Sequence, residues 1–388
     1  MNRKGNFLEV VVTARPSWAR VKSLIGEYVN LTSTDSISLS LVGPAVSQRY
    51  GDIRSQAGFQ YTVNSFPALQ ESDDFTGITL SCLEGAKALT RHWSSKRPDC
   101  VLVVADRTET LGVAAAAAIM QIPLIHLQGG EISGSIDDKI RDSNSKLADY
   151  HLTTNGQTKQ ELLKMGEPEN RISVVGCPSL DLVSERIESG IDSNLFAILN
   201  NTGVGNQIDF TGKYGVVMFH PDTINEPENC VWVEKIIAMI KSSKIQWVWF
   251  WPNPDHGTGN ISKLIRQGRE DGSLKSVRFV INVTPEIFIN LAFGANVLIG
   301  NSSFGIRESS FLGLPVINLG HRQNGRQRAQ NVTDIPFPVS QEQFNNFCAS
   351  EVQRYPQSHL YGDGTAGARA AKSIALWQPT LKTRTISL

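Results

Sequence analysis

The stretch CVLVVADRTETLGVAAAAAIMQIPLIHLQGGE, residues 100–131, decides the fold class. The apolar runs at 100–105 and 124–127 are typical of buried strands, and the segment 109–120 between them is typical of a helix. A strand that is apolar throughout, a helix and a second such strand together predict a right-handed βαβ unit. Such units build a parallel sheet that is covered by helices on both faces.

The same alternation continues along the chain in both directions. In the first half, further strands are predicted at 8–14, 37–42, 150–154 and 172–175, with helices at 17–29 and 79–93. In the second half, strands are predicted at 215–219, 246–251, 277–281, 297–300 and 316–319, with helices at 231–240, 285–293 and 306–312. The expected fold class is therefore α/β, with two Rossmann-like doubly wound domains facing a cleft.

A polar stretch at 180–213 interrupts the series of strands and helices, and we interpret it as a linker. The chain has 388 residues, and at roughly 100–200 residues per domain this length fits two domains. We therefore expect an N-terminal Rossmann-like domain at 1–180 that carries acid/base residues. A second Rossmann-like domain is expected at 181–364, and the segment 365–388 is expected to return to the first domain.

Charge and cysteine content exclude several classes of protein. Lys and Arg number 37 and so do Asp and Glu, so the balance disfavours a strongly basic nucleic-acid binder or a polybasic membrane-surface protein. The 5 cysteines are odd in number and far apart, and none forms a C-x-x-C or zinc-type cluster. We expect no metal, no nucleic-acid partner, no membrane association and a reducing, cytoplasmic location.

Nucleotide motifs of the common kinds are missing from the sequence. There is no G-x-x-x-x-G-K-[ST], and no G-x-G-x-x-G follows the first predicted strand. One G-x-G-x-x-G match, at 362–367, has no strand before it and is discounted. These absences disfavour a P-loop kinase and a dinucleotide-binding enzyme with a glycine fingerprint.

Acidic residues follow the carboxyl ends of two predicted strands. Asp106 comes directly after the strand at 100–105, and Glu131 follows the strand at 124–127. Asp137 and Asp138 begin the next helical segment. Carboxylates that lie close together push each other's pKa values apart, which suits general acid/base catalysis. The alternative for each aspartate taken singly is an ordinary helix cap.

Two strand–helix junctions have the residues of an anion site. Arg15 stands at the mouth of the helix that follows the first strand. In the second half, a strand leads into Gly300-Asn301-Ser302-Ser303, and a helix follows. Serine hydroxyls and unpaired amides at such a junction favour a phosphate. The alternatives are a surface arginine in the first case and an N-cap serine in the second.

Three further residues of the second half lie close to predicted strand ends. His220 follows the strand at 215–219, where it is either functional or structural. Glu308 is placed one turn into the helix after the serines and could accept both hydroxyls of a ribose. Arg322 follows the last strand, together with Arg326 and Arg328, and either adds positive field or is simply solvated.

At these positions the sequence resembles the hydrolysing branch of the UDP-N-acetylglucosamine 2-epimerase family. The motifs occur in the family's order and cover about the first 330 residues. They are A-D-R-x-E at 105–109, H-x-Q-G-G-E at 126–131, S-G-S-I-D-D-x-I-R at 133–141, S-K-L-A-D-Y-H at 145–151, V-G-C-P-S-L-D at 175–181, G-N-S-S-x-G-I-R-E at 300–308 and N-L-G-x-R-Q-x-G-R at 318–326.

The resemblance implies a glycosyltransferase-B type fold and hydrolysis of UDP-GlcNAc with inversion at C2, giving N-acetylmannosamine and UDP. It implies no cofactor, a UDP-sugar as the partner bound by the second domain, and a homodimer or dimer of dimers. The implied catalytic residues are Asp106, Glu131, Asp137 and His220, and the implied substrate-binding residues are Arg15, Arg107, Gln128, Ser302, Ser303, Glu308 and Arg322.

Departures from the family pattern keep other functions open. Gln128 stands where some members carry Glu, and an amide cannot transfer a proton as a carboxyl group does. Pro16-Ser17-Trp18 also replaces the usual residues after Arg15. A UDP-2,4-diacetamido-2,4,6-trideoxy sugar is therefore an alternative substrate. A glycosyltransferase of the same fold and a non-catalytic sugar-nucleotide sensor are the competing functions.

Overall fold

The computed structural model describes residues 6–58, 60–70, 74–252, 256–335, 337–349 and 353–382. The chain divides into two compact units. The first unit comprises Met1–Glu131, Asp137–Asp181 and Gly362–Leu388, and the second comprises Ile132–Ile136 and Leu182–Tyr361. Of the segment predicted to return to the first domain, residues 383–388 lie outside the described residues.

The first unit is built on a seven-stranded parallel sheet. Its strands are β1 (Leu8–Val12), β2 (Ile37–Val42), β3 (Thr62–Phe66), β4 (Cys100–Val104), β5 (Leu124–Leu127), β6 (Tyr150–Thr153) and β7 (Ile172–Val174). The spatial order is β3-β2-β1-β4-β5-β6-β7, with every neighbouring pair parallel. The order reverses between β1 and β4, so this pair is the switch point at which doubly wound folds bind ligands.

Helices cover both faces of this first sheet, because its strands are apolar on both sides. They are α1 (Arg15–Leu31), α2 (Phe75–Ser95), α3 (Thr108–Ile119), α4 (Asp137–Leu147), α5 (Gly156–Lys164) and α6 (Ser179–Ser189), which runs from the first unit into the second. On one face α1 contributes Trp18 and Tyr28 to the core, and on the other α2 contributes Leu89 and Trp93. Each fully buried large apolar side chain stabilises the fold by about 1.5–3 kcal/mol.

The second unit repeats this architecture with its own sheet. Its strands are β8 (Val204–Gly205), β9 (Tyr214–Met218), β10 (Gln246–Phe250), β11 (Val277–Val280), β12 (Val297–Gly300), β13 (Val316–Leu319) and β14 (Val332–Ile335). The order is β14-β13-β12-β9-β10-β11-β8, parallel except that β8 is antiparallel to β11. Here the order reverses between β9 and β12. The predicted pair of doubly wound α/β domains is confirmed.

Helices of the second unit follow its strands in the expected alternation. They are α7 (Ser193–Thr202), α8 (Glu226–Ser242), α9 (Thr258–Glu270), α10 (Pro285–Gly294), α11 (Glu308–Leu312) and α12 (Gln341–Ala349). Trp232 and Ile236 of α8 and Ile261 of α9 pack with Trp247 and Trp249 of β10 in one core. The tryptophans of β10 are therefore core residues.

The segment 180–213, which the sequence predicts to be a linker, contains most of α6 and all of α7. Its polar composition is misleading because each of these helices still contributes buried apolar residues to the fold. Phe196 and Leu199 of α7 are buried, and Asp192 accepts a hydrogen bond from the Asn194 N–H at 2.9 Å before the helix begins. An Asp at this position stabilises a helix start, and the sequence analysis overlooked it.

The last helix, α13 (Ala366–Leu376), belongs to the first unit. The Asp181 carboxylate accepts hydrogen bonds from the N–H groups of Ala366 and Gly367, at 2.9 and 2.6 Å. Beyond the helix, Trp377 stacks on Tyr150 with ring centroids 4.9 Å apart. Within the described ranges, no helix is long and apolar enough to cross a membrane.

Candidate active site

Predicted site residues follow all four switch-point strands of the two sheets. In the first unit, β1 is followed by Arg15 and β4 by Asp106. In the second unit, β9 is followed by His220 and β12 by Ser302. Ligands of doubly wound folds bind outside the carboxyl ends of the strands at this reversal. Each unit therefore has a candidate site where its topology favours one.

Asp106 is presented by a strained residue that two side chains support. Ala105, between β4 and Asp106, has φ +54°, a left-handed conformation that is unusual for alanine. Its carbonyl accepts hydrogen bonds from His126 Nε2 at 2.9 Å and from Asn144 Nδ2 at 3.2 Å. These contacts hold the backbone that carries Asp106, and strain of this kind is commonly retained at functional sites.

The His126 ring beneath Asp106 is neutral. Burial lowers the pKa of His126 to about 3. Because Nε2 faces a carbonyl, it carries the proton, and Nδ1 then accepts from the Ser145 hydroxyl at 3.0 Å. The ring has a supporting role and is not available as an acid at neutral pH.

Arg141 on α4 connects the acidic residues of the first unit. Its side chain is fully buried and donates to the carboxylates of Asp106 and Asp138 and, at 2.7 Å, to the Glu131 carbonyl. Burial alone would lower the pKa of Arg141, but the charges of Asp106 and Asp138 outweigh it and raise the pKa. The guanidinium therefore stays charged, and it brings three of the acidic residues singled out in the sequence together.

Glu131 and Asp137 belong to the first unit and flank a short segment of the chain that belongs to the second. Ile132–Ile136 belongs to the second unit, where the Ser133 carbonyl accepts from the Gly325 N–H at 3.1 Å. The Glu131 side chain is buried, and the Thr154 hydroxyl donates to its Oε1 at 3.4 Å. Asp137 is half-buried in the first turn of α4.

Gln128 is packed deep inside the first unit. The residue is fully buried, and its φ of +68° reflects the sharp turn after β5. Its Nε2 donates to Cys177 Sγ at 3.1 Å, and its backbone N–H donates to the Leu152 carbonyl at 2.8 Å. A role for Gln128 in substrate binding stays a prediction.

The two arginines predicted in the first unit occupy helix starts. Arg15 is the first residue of α1 and is half-buried. Arg107 precedes the first residue of α3, and its guanidinium lies 3.4 Å from the carboxylate of Glu109. A cation at a helix start adds to the positive end of the helix dipole, as an anion site requires.

In the second unit, Asn301 fixes the backbone of His220. Asn301 Oδ1 accepts from the His220 N–H, and Nδ2 donates to the His220 carbonyl, both at 2.8 Å. Gly300, with φ +147°, lets the two strands approach this closely, since an added Cβ would lie 2.0 Å from the Met218 carbonyl oxygen. The ends of β9 and β12 therefore form one rigid corner.

The serines after β12 lie beside a buried arginine–glutamate pair. The Ser302 hydroxyl accepts from the Phe304 N–H at 3.4 Å, and Arg307 Nη2 donates to the Ser303 hydroxyl at 3.1 Å. Arg307 and Glu308 are both buried, with Arg307 Nε 3.9 Å from Glu308 Oε2. Hydroxyls, a guanidinium and a carboxylate thus occupy adjacent positions on one short segment.

A loop after β13 returns to this corner. Arg322 Nη1 and Gln323 Nε2 donate to the Asn301 carbonyl, at 3.2 and 3.0 Å. The second unit therefore groups the predicted residues His220, Ser302, Ser303 and Arg322 around Asn301. In the parts of the chain that the structure describes, no group of three or more His, Cys, Asp or Glu side chains could hold a metal ion.

Several residues that organise the site escaped the sequence analysis. Arg141, Asn301, Arg307 and Gln323 all lie inside quoted motifs, yet none was given a role. Nothing local distinguishes a buried arginine from a solvated one, because burial depends on which segments pack over it. The only available signal was position, since each lies within four residues of a predicted site residue.

Comparisons with known proteins find a matching family model and similar individual sequences. Residues 34–375 match the family model described as UDP-N-acetylglucosamine 2-epimerase. A UDP-N,N'-diacetylbacillosamine 2-epimerase (hydrolyzing) of Legionella pneumophila is 32% identical over 280 residues, covering 72% of this chain and 71% of the relative. A GDP/UDP-N,N'-diacetylbacillosamine 2-epimerase (hydrolyzing) of Campylobacter jejuni is 28% identical over 350 residues, covering 89% and 88%.

A solved structure shows the same fold. The Methanocaldococcus jannaschii UDP-GlcNAc 2-epimerase, crystallised with UDP-GlcNAc and UDP, superposes with a TM-score of 0.77. The likeness covers 95% of this chain and 99% of that one, at 18% identity. It confirms the predicted glycosyltransferase-B type fold.

Proposed function

Because the chain belongs to the UDP-N-acetylglucosamine 2-epimerase family, we propose that it is a hydrolysing 2-epimerase of a UDP-2-acetamido sugar. The observation that carries the proposal is the acidic group in which Arg141 binds Asp106, Asp138 and the Glu131 carbonyl. Carboxylates held at a switch point supply the bases and acids that the reaction needs.

The proposed reaction begins with an elimination. The C2 hydrogen of the sugar is not acidic, so the anomeric C–O bond breaks ahead of proton removal and builds positive charge that acidifies it. A carboxylate, Asp106 in our assignment, takes the C2 proton, and the electron pair of the C–H bond forms the C1–C2 double bond. UDP leaves with the electrons of the C1–O bond, and a 2-acetamidoglucal remains.

Hydration of the glucal completes the proposed reaction. An acid on the opposite face of the ring protonates C2, and water adds to C1 and releases a proton to a base. The configuration at C2 is thereby inverted. We assign the acid to Asp137, with Glu131 in support, since both flank Ile132–Ile136 close to Arg141 in the sequence.

The leaving group would be held by groups that suit a nucleoside diphosphate. We assign the diphosphate to Arg15, Ser302 and Ser303, with His220 beside the leaving oxygen. Glu308 would accept the ribose hydroxyls. Support comes from the clustering of His220 and the serines around Asn301, and from the adjacent cation of Arg307. Arg107, Gln128 and Arg322 are assigned to the remaining substrate contacts.

Two substrates fit this proposal. UDP-GlcNAc is the one that the family description names. The second is a UDP-2,4-diacetamido-2,4,6-trideoxyglucose, favoured by the names of the Legionella and Campylobacter relatives. In that case the product would be the corresponding 2-epimerised free sugar and UDP.

The decisive experiment is incubation with each UDP-sugar in heavy water, followed by product analysis by NMR. We expect UDP and a free sugar with inverted configuration and deuterium at C2. An epimerised sugar still attached to UDP would show a non-hydrolysing epimerase. Release of UDP only when an acceptor is added would show a glycosyltransferase, and tight binding without turnover of either sugar would show a sensor.

We also propose a homodimer or a dimer of dimers in a reducing, cytoplasmic compartment. The proposal for the assembly comes from family resemblance. The buried cysteines Cys82, Cys100 and Cys177, which form no disulfide, support the compartment, since disulfides persist in oxidising ones. Light scattering should give a multiple of the 42.6 kDa chain mass, and a monomer would refute the assembly.

A further inference from the structure

The buried side chain of Arg141 is surrounded by hydrogen-bond acceptors, and apolar packing does not account for this position. It comes from the second turn of α4, and its side chain has no exposed surface. Its partners are three oxygens from three segments: Asp106 after β4, Asp138 on α4 and the Glu131 carbonyl after β5. Asp106 is 35 residues away in sequence and Glu131 is 10 residues away.

Only arginine suits this arrangement. The planar guanidinium carries several N–H donors in a fixed fork, so Nη2 reaches Asp106 while Nη1 reaches Asp138 and the Glu131 carbonyl. A lysine ammonium is a single point charge on a flexible stem and cannot hold three acceptors in a set geometry. The arrangement is therefore more specific than charge balance requires.

The buried guanidinium of Arg141 is shared by two carboxylates, those of Asp106 and Asp138. The titratable and charged groups around them are Asp137 and Asp138 on α4, Glu131 and His126 from the β5 side, and Arg107 and Glu109 at the start of α3. His126 is neutral, and Arg107 is engaged with Glu109. Arg141 is a fully buried positive charge in direct contact with Asp106.

We propose that Arg141 is a positioning residue that keeps Asp106 ionised and aimed as the base of the elimination step. Asp138 also binds the guanidinium, so its negative charge weakens the stabilisation of the ionised Asp106 carboxylate. It follows that the proton donor to C2 is another acid of the group. This inference rests on the proposed function, and it adds a physical reason why Asp106 serves as the base and not as the acid.

The test compares pH profiles of kcat/KM for variants with opposite expected signs. The acid limb of the wild-type profile reports protonation of the base. Arg141→Gln removes the favourable charge, so the acid limb should move to higher pH by about 1–3 units. Asp138→Asn removes a competing negative charge and leaves the cation to Asp106, so the limb should move to lower pH.

Positioning is tested separately with Arg141→Lys, which keeps the charge but loses the fork. We expect kcat to fall by about 100-fold while KM changes by less than about 3-fold, because the chemistry and not the binding is impaired. Arg171→Lys is the matched control, since Arg171 donates to the Asp149 and Thr380 carbonyls away from the acidic group. Its pH profile should be that of the wild type.

Each outcome decides a different claim. An active wild type whose acid limb moves in the same direction in both charge variants, or in neither, overturns the role of Arg141 alone. A wild type that releases no UDP from either sugar overturns the proposed function and this inference with it. If Arg141→Gln fails to fold, Asp138→Asn still decides, because the Asp138 side chain is 24% exposed and its isosteric change leaves the fork in place.

Discussion

The side-chain amide of Asn301 forms two hydrogen bonds with the backbone of His220 at the switch point of the second sheet. It accepts from the His220 N–H and donates to the His220 carbonyl, at 2.8 Å in each case, although the two residues are 81 positions apart. Both residues are buried, so no water replaces these hydrogen bonds when the amide is lost. This contact fixes the backbone of His220 beyond the end of β9.

Asn301→Ala should therefore destabilise the second unit and misplace His220. Leaving two buried backbone groups unsatisfied costs about 1–3 kcal/mol each, so we expect the free energy of unfolding to fall by about 2–6 kcal/mol. Chemical denaturation measures this loss. Asn194→Ala is the control, because Asn194 is exposed on α7. Equal stability of the two variants would contradict the structural role of Asn301.

His126 should make the stability of the protein fall in acid. Its folded pKa of about 3 lies below the ordinary value of 6.5, so the unfolded chain binds a proton that the folded chain refuses. The free energy of unfolding should therefore decrease as the pH falls from about 6 to 3, by about 1.4 kcal/mol per pH unit from this residue. His126→Gln, which can still donate to the Ala105 carbonyl, should flatten that slope.

The control for this measurement is His359→Gln, because His359 is exposed and should leave the slope as in the wild type. Denaturation midpoints at several pH values give both slopes. An identical pH dependence of His126→Gln and the wild type would show that His126 is not held neutral.

Gln128→Glu should impair the protein, even though some family members carry Glu there. The new carboxylate would be fully buried beside the Cys177 thiol, where burial disfavours its charged form. We expect a lower melting temperature at pH 8 than at pH 5, because acid neutralises the new group. Gln128→Met is the control, since it removes the amide without adding a titratable group and should show no such pH difference. A faster enzyme of unchanged stability would mean that Gln128 is a catalytic handicap.

Glu308 should determine how the ribose is recognised. If its buried carboxylate accepts the ribose hydroxyls, Glu308→Gln weakens UDP binding by about 10-fold, because a charged acceptor is replaced by a neutral one. Binding of a 2',3'-dideoxy analogue of UDP should not change. Calorimetry measures both affinities, and Glu342→Gln on the exposed side of α12 is the control. Equal weakening for both nucleotides would refute the ribose contact.

Lys382 should protect the first unit against acid. Glu167 accepts from His151 at 3.2 Å, Lys146 at 2.6 Å and Lys382 at 2.6 Å. Burial alone would raise the pKa of Glu167, but these three hydrogen bonds lower it to about 2. The stabilisation is thus present above the ordinary pKa near 4.5 and is lost as the pH falls towards 2.

Lys382→Gln removes one of these donors, so acid unfolding should begin at a higher pH than in the wild type. Circular dichroism during acid titration follows the transition. Lys159→Gln is the matched control, because its partner Glu169 is exposed and their 2.7 Å contact is worth little. Coincident acid transitions of wild type and Lys382→Gln would contradict the role of the C-terminal segment.

Much of the architecture could be predicted from local patterns. The runs around 100–105 and 124–127 form β4 and β5 as expected, because short, mostly apolar runs separated by a helical segment are typical of buried parallel strands. Two elements with weaker hydrophobic patterns were not predicted from the sequence. β3 (Thr62–Phe66) is a half-polar edge strand without a continuous apolar run, and α7 hides two buried residues among polar ones.

The sequence by itself determined the alternation of strands and helices, the two doubly wound sheets and the motifs at the strand ends, because hydrophobic periodicity and turn chemistry act between near neighbours. Only the tertiary structure decided the partners of the site: Arg141 with Asp106, 35 residues away, Gln128 with Cys177, 49 away, and Asn301 with His220, 81 away. Such contacts depend on which strands become neighbours and on how deeply their ends are buried. These are properties of the whole packed sheet, and no local segment encodes them.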